Sequence, residues 1–146
     1  MKIKYVFLSV FIFTTGVIFS QNKNAPKSII SSSAVIKKYH GLDELKAMQK
    51  GELLDLYAER VQVLVKTIPY MALATKSGTT LNDLGVPNNS DSRKVMETQE
   101  AETNKYLKAT ANFQKKIMPY SDKDVLIASI LFYESTMKSF YEFNDF

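Results

Sequence analysis

Between Glu52 and Phe143 the chain carries three long stretches whose apolar residues recur at helical spacing, separated by proline, glycine and asparagine. In the first, Leu53, Leu54, Tyr57, Val61, Leu64, Val65 and Ile68 fall on one stripe, with Asp55, Glu59 and Lys66 off it, so the spacing predicts a helix over 52–68. Pro69 interrupts it, because proline forfeits a backbone hydrogen bond and clashes with the preceding turn. A kink is expected there, with another turn or two over 70–75 before Gly78. The second helix is expected from a cap at Asp91 or Ser92 to Met118, stopped by Pro119. Val95, Met96, Tyr106, Thr110, Phe113 and Ile117 form its expected core face, which Gln99 and Thr103 interrupt. The third opens on Ser121-Asp122-Lys123-Asp124, a capping-box-like start with an acid-rich first turn facing the helix dipole, and runs to about Phe143.

Shorter features flank these three. Leu42, Leu45 and Met48 share one face of a short first helix over 42–50, which Gly51 ends. The run 76–90 is a connection holding at most one helical turn at 81–84, closed by Gly85. A loop of that length in a compact domain is either functional or mobile. Residues 21–41, with a serine run and β-branched residues but no clean period, are expected to be a flexible tether with a short helix at 33–39. The tripeptides Ile68-Pro69-Tyr70 and Met118-Pro119-Tyr120 hint at duplication, but two copies of three residues recur easily by chance. Helices of about 23 to 28 residues are about 35 to 42 Å long, and hairpin-like connections favour antiparallel neighbours. The expected fold is therefore all-α: an antiparallel up-down bundle of three long helices plus one short N-terminal helix, occupying 42–146.

The first twenty residues have a different role. Lys2 and Lys4 precede an uncharged apolar run from Tyr5 to Phe19, and polar Gln21-Asn22-Lys23-Asn24 follows it, the build of a secretory signal peptide over 1–20. The run is shorter than the roughly 20 residues a membrane-spanning helix needs. Cleavage is expected after Ser20, or failing that after Gly16, leaving a soluble protein in the periplasm or outside the cell. Nineteen basic against fifteen acidic residues give a net charge of +4; the first twenty residues hold two of the lysines and no acid, so +2 remains after cleavage. That is no electrostatic case for nucleic acid. The chain also has no cysteine, which excludes disulfides, thiolate nucleophiles, thiolate metal sites and lipoprotein acylation. An exported domain without such staples must live on its core.

Few residues invite a chemical reading. His40 is the only histidine, so no two-histidine site exists within one chain, and no cofactor or metal is expected. Ser135-Thr136-Met137-Lys138 matches an S-x-x-K pattern, but the chain lacks the companion elements in the right order, and no catalytic residue is assigned. Arg60 and Glu134 lie among apolar residues of two helices and are expected to meet as a partly buried pair. The pair either fixes helix register or, with Tyr57, Tyr133 or Tyr106, anchors a ligand lodged between helices. Lys105, Lys108, Lys115 and Lys116 share one helix face, expected to be solvated, although such a row could also meet an anionic surface. In the last helix Leu126, Ile130, Tyr133, Met137 and Tyr141 make a core stripe. Val125, Phe132 and Phe143 form a second one about 120° away. Internal burial of Phe132 and Phe143 against the short helix or the tether is favoured; the alternative is an exposed aromatic patch for a partner or for self-association.

These readings converge on a small exported, non-enzymatic helical protein that binds a protein or cell-envelope component through a helix face or the 76–90 loop. The alternative is a carrier of a small apolar or amphipathic ligand in an inter-helix pocket. Expected partners exclude nucleic acid and include no membrane span after cleavage, and self-association is open. The residues assigned to contact are Arg60, Glu134, Tyr57, Tyr133, Phe132 and Phe143.

Overall fold

Four α-helices follow one another: α1 (Leu42–Ala47), α2 (Lys50–Thr67), α3 (Ser90–Ile117) and α4 (Lys123–Glu142). The computed structural model describes residues 27–74 and 76–142, so the expected signal peptide, the first part of the expected tether and Phe143 lie outside it. No strand forms among the described residues beyond one isolated bridge, and the fold is the expected all-α bundle. Chain direction follows from two end contacts. Lys50 at the start of α2 donates to the Pro119 carbonyl just past α3 (2.7 Å), which makes α2 and α3 antiparallel. Lys123 at the start of α4 donates to the Lys46 carbonyl just before α2 (2.8 Å), which makes α2 and α4 run the same way.

The core lies between α2 and α4. Leu45 of α1 packs with Leu53 and Leu56 of α2 and Leu126, Ile127 and Ile130 of α4; further along, Val63 and Leu64 meet Met137. Each of these buried side chains contributes about 1.5 to 3 kcal/mol relative to exposure. On α2 the buried set is Leu53, Leu56, Arg60, Val63, Leu64 and Thr67, a stripe rotated by about 90° from the expected one at 3.6 residues per turn. Two polar residues sit on it, which hides the stripe from any count of apolar positions. Thr67 is tolerated because its hydroxyl donates back to the Val63 carbonyl at 2.8 Å. Tyr57, Val61 and Val65, on the stripe the spacing favours, are only half-buried.

Helix ends follow local chemistry. Asn89, not Asp91 or Ser92, caps α3: its side-chain oxygen accepts the Ser92 N–H at 2.8 Å. At the start of α4, the Ser121 hydroxyl donates to the Met118 carbonyl instead of closing a capping box. The tripeptides around Pro69 and Pro119 each form a 3-10 turn at a helix C-terminus, with Thr67 and Ile117 in nearly the same backbone conformation. Proline at the second position tightens the last turn in both, so the recurrence is a shared stop signal. After the first of these the chain makes turns rather than resuming a helix. Gly85, at φ 70°, closes the expected turn, here a 3-10 turn over Asn82–Leu84.

Residues 27–41 correct the expected tether. No helix forms at 33–39; yet Ile29, Ile30, Ala34 and Ile36 are buried. Ser28 bridges antiparallel to Thr80, the Ile29 N–H donates to the Thr79 carbonyl (2.7 Å), and the Gly78 N–H donates to the Ile30 carbonyl (2.9 Å). Ile29, Ile30 and Ala34 pack with Leu81 of the long connection, whereas Ile36 packs with α2 and α4. The segment crosses different elements and buries a side chain or two against each, which is why its sequence has no period.

The largest correction concerns α3, in which no residue is buried. Its packed side carries the half-buried Ser92, Met96, Thr103, Leu107, Thr110 and Gln114. Val95, Tyr106, Phe113 and Ile117, expected in the core, are between 51 % and 69 % exposed. At 100° per residue that apolar line lies about 80° around the helix from the packed side.

Candidate functional site

Midway along the α2–α4 seam the two charged residues expected to pair do so, buried to 1 % exposure for Arg60 and 2 % for Glu134. The guanidinium donates to Oε1 of Glu134 from Nε (2.9 Å) and Nη2 (2.7 Å). Nη2 also donates to the Lys38 carbonyl (2.7 Å), and Nη1 lies 3.1 Å from Oε1 of Glu59. The other carboxylate oxygen, Oε2, accepts the His40 backbone N–H at 2.6 Å. The His40 ring closes the cluster, with Nδ1 2.9 Å from Oε1 of Glu134 and 3.3 Å from Nη2 of Arg60. Burial pushes the Glu134 carboxyl up, but hydrogen bonds from His40 and Arg60, together with the charge of Arg60, outweigh it and hold the group below its usual value.

Among the described residues no buried side-chain nitrogen or oxygen lacks a partner. The work of the cluster is to fasten the 38–40 backbone across α2 and α4. His40 was the component the sequence left unplaced. Its backbone N–H does much of the fastening, and no residue-type pattern reports a backbone donor.

The tyrosines assigned with Arg60 and Glu134 lie elsewhere. Tyr57 and Tyr133 stand with ring centroids 5.6 Å apart and hydroxyls 3.4 Å apart. They line a groove of about 430 Å³ together with Val61 of α2 and Tyr106, Thr110 and Phe113 of α3. Burial first, then its hydrogen bond with Tyr57, pushes the Tyr133 hydroxyl up to about 12, so the Tyr133 phenol stays a neutral hydrogen-bonding group at neutral pH. Neither Arg60 nor Glu134 lines the groove.

Phe132 is 65 % exposed, against the favoured expectation of burial, and Val125 is exposed as well. The Phe132 ring sits edge-on to Tyr133 with centroids 5.8 Å apart, extending the aromatic surface out of the groove. Phe143 is outside the described residues. The surface therefore joins a residue favoured for burial to a helix face the sequence assigned to the core. Tyr106, Phe113 and Ile117 form an exposed apolar line over three turns of α3, and Val95 lies on the same side about 33 Å from Ile117, beyond the polar Gln99 and Glu102. Monomeric soluble proteins rarely present such a line without a use for it.

The 76–90 loop does not stand free. Gly78, Thr79 and Thr80 pair with 28–30, Leu81 is buried, and the Thr80 N–H and hydroxyl both donate to Oδ2 of Asp83 at 2.8 Å. Among the described residues no group of three metal-ligating side chains converges, and no helix is long and apolar enough to cross a membrane. No protein-family model matches the sequence, and neither a curated protein nor a solved structure matches it.

Proposed function

We propose that this is an exported, non-enzymatic helical protein that binds a protein or cell-envelope partner through the face formed by α3 and the outer edge of α4. The observation that supports this reading is the unburied α3 helix, whose Val95, Tyr106, Phe113 and Ile117 stay more than half exposed beside the Tyr57–Tyr133 groove. Aromatic side chains gathered around a shallow groove are the usual anchors of a protein interface, since they bury large areas with few rotatable bonds. The buried Arg60–Glu134–His40 cluster supports the same reading indirectly. It clamps the scaffold away from the groove, which neither Arg60 nor Glu134 lines.

The test is photo-crosslinking in producing cells, with the reactive side chain placed at Phe113 or Phe132 and a control at Lys108. Adducts at 113 and 132 but not at 108 are expected, on a chain shortened by about 20 residues and recovered outside the cytoplasm. Equal labelling at all three positions, or none, would overturn the interface. A full-length chain retained inside would overturn export. The carrier reading keeps one observation in its favour, the groove of about 430 Å³ lined by Tyr57, Tyr106, Phe113 and Tyr133. It expects a small apolar molecule to be retained through purification, seen by native mass spectrometry.

A further inference from the structure

The charges along α3 are sorted by position. Its first half, 90–103, holds Asp91, Glu97, Glu100 and Glu102 against Arg93 and Lys94; its second half, 104–117, holds Lys105, Lys108, Lys115 and Lys116 and no acid. One half is net −2 and the other +4. Part of this sorting borders the apolar line directly. Asp91, Glu102, Lys105 and Lys116, all exposed, fall within about 60° of arc along its outer side, away from the side packed on the bundle. The opposite side is occupied by α3's own neighbours, so an approaching partner meets these four charges.

A helix with an apolar line and such a flank is complementary to itself when reversed. When two copies pair antiparallel, residues on the same flank meet across a two-fold axis, and positions i and j face each other when their sum is constant. Asp91 with Lys116, and Glu102 with Lys105, give the same sum, 207, and so does the pair of helix ends, Ser90 with Ile117. One axis at the midpoint of α3, between Thr103 and Asn104, therefore matches both charge pairs over the full length of the helix. The same axis sets Val95 against the Phe113 turn of the partner subunit and brings the two Tyr106 turns to either side of the centre. Parallel pairing would instead set this charged flank against the side of α3 that is packed on the bundle, and the acids and lysines would not meet.

From this we infer that the α3 face is a homodimer interface, two copies of the chain pairing antiparallel along α3 with Tyr106 near its centre and Phe113 towards each end. The inference rests on the reading of this face as an interface and names its occupant. A lipid surface fits less well, because Asp91 and Glu102 border the apolar line on the side that would face the headgroups. Side-by-side helices of about 42 Å bury on the order of 1,000 Å² in total, the low end for specific interfaces, so the dimer is reversible.

The experiment uses the full chain as the cell processes it, followed by sedimentation velocity from about 1 to about 200 µM. A monomer–dimer equilibrium within that range is expected. The double variants Lys105→Glu with Lys116→Glu, and Asp91→Lys with Glu102→Lys, should each weaken it about tenfold or more, while an equimolar mixture of the two should recover association. Circular dichroism confirms that these surface variants keep the wild-type helix content. Because the chain has no cysteine, single cysteines report the geometry: Glu102→Cys should oxidise to a covalent dimer, whereas Asp91→Cys, about 37 Å along the axis from its own copy, should not. A monomer throughout the range, or equal crosslinking at 91 and 102, overturns the homodimer. So does a monomer that binds anionic vesicles and loses that binding on Phe113→Ser. If the chain is monomeric but cells still yield adducts at 113 with a different protein, the homodimer fails and the interface reading survives; if both signals are missing, both fail.

Discussion

The α2–α4 seam and the α3 helix are both amphipathic, yet they use their apolar residues in opposite ways. Along the seam, Leu53, Leu126, Ile130 and Met137 are buried around a charged pair, and the segment 27–41 is fastened over it through Arg60 and Glu134. On α3 the apolar residues face outward, and the helix packs through threonine, glutamine and single half-buried Met96 and Leu107. A strong helical period thus identifies a helix without saying which side of it the fold covers. Two charged residues are buried on one helix pair and none of the apolar residues on α3 is, which separates the packed seam from the face proposed for recognition.

Substitutions separate the two regions most sharply at the clamp. Arg60→Met leaves the Glu134 carboxylate buried without its cation and should cost about 3 to 5 kcal/mol in chemical denaturation. A loss below about 1 kcal/mol would mean the seam does not depend on the pair. Ile30→Ala should cost somewhat less, about 2 to 3 kcal/mol, if the segment 27–41 belongs to the cooperative unit. No change in the midpoint would return that segment to the status of a tether.

Acid reaches the same clamp. The carboxyl of Glu134 is depressed in the folded state, so its stabilisation is full above the unfolded value of 4.5 and is lost as pH falls through the lower folded value. Glu134→Gln should therefore be less stable than wild type at pH 7, and the gap should close on acidification below about pH 4. A gap that stays constant would show that ionisation of Glu134 contributes nothing. The smallest effect is expected on the other region. Phe113→Ser should change stability by no more than about 0.5 kcal/mol, a value that a core phenylalanine would exceed several-fold, while lowering the binding of a hydrophobic dye.

The helices themselves were legible, because 3.6-residue periodicity, Pro69, Pro119 and Gly85 are local signals, and the observed ends lie within a few residues of the expected ones. Pairing of Arg60 with Glu134 was also legible, as charges set among leucines on two helices. The direction of the faces was not. Arg60 and Thr67 lie on the buried side of α2, so counting only apolar residues turned the helix by about a quarter turn. The segment 27–41 was missed because Ile29 and Ile30 are buried against the long connection and Ile36 against α2 and α4, and its backbone is satisfied by the 76–80 loop, Arg60 and Glu134 instead of by a helix or sheet of its own. For α3, the sequence held a usable clue in the separation of acids from lysines along the helix. That pattern has no purpose inside a core and becomes meaningful only once the helix is seen to be uncovered.

Native-state hydrogen exchange of the purified chain, compared between about 1 µM and about 200 µM, tests the division most directly. Amides of α2, α4 and the 36–40 backbone should exchange slowly at both concentrations, while those around Tyr106 and Phe113 should be weakly protected when dilute and gain protection when concentrated. Protection of α3 equal to that of α2 and α4 in the dilute sample, and unchanged by concentration, would contradict the account.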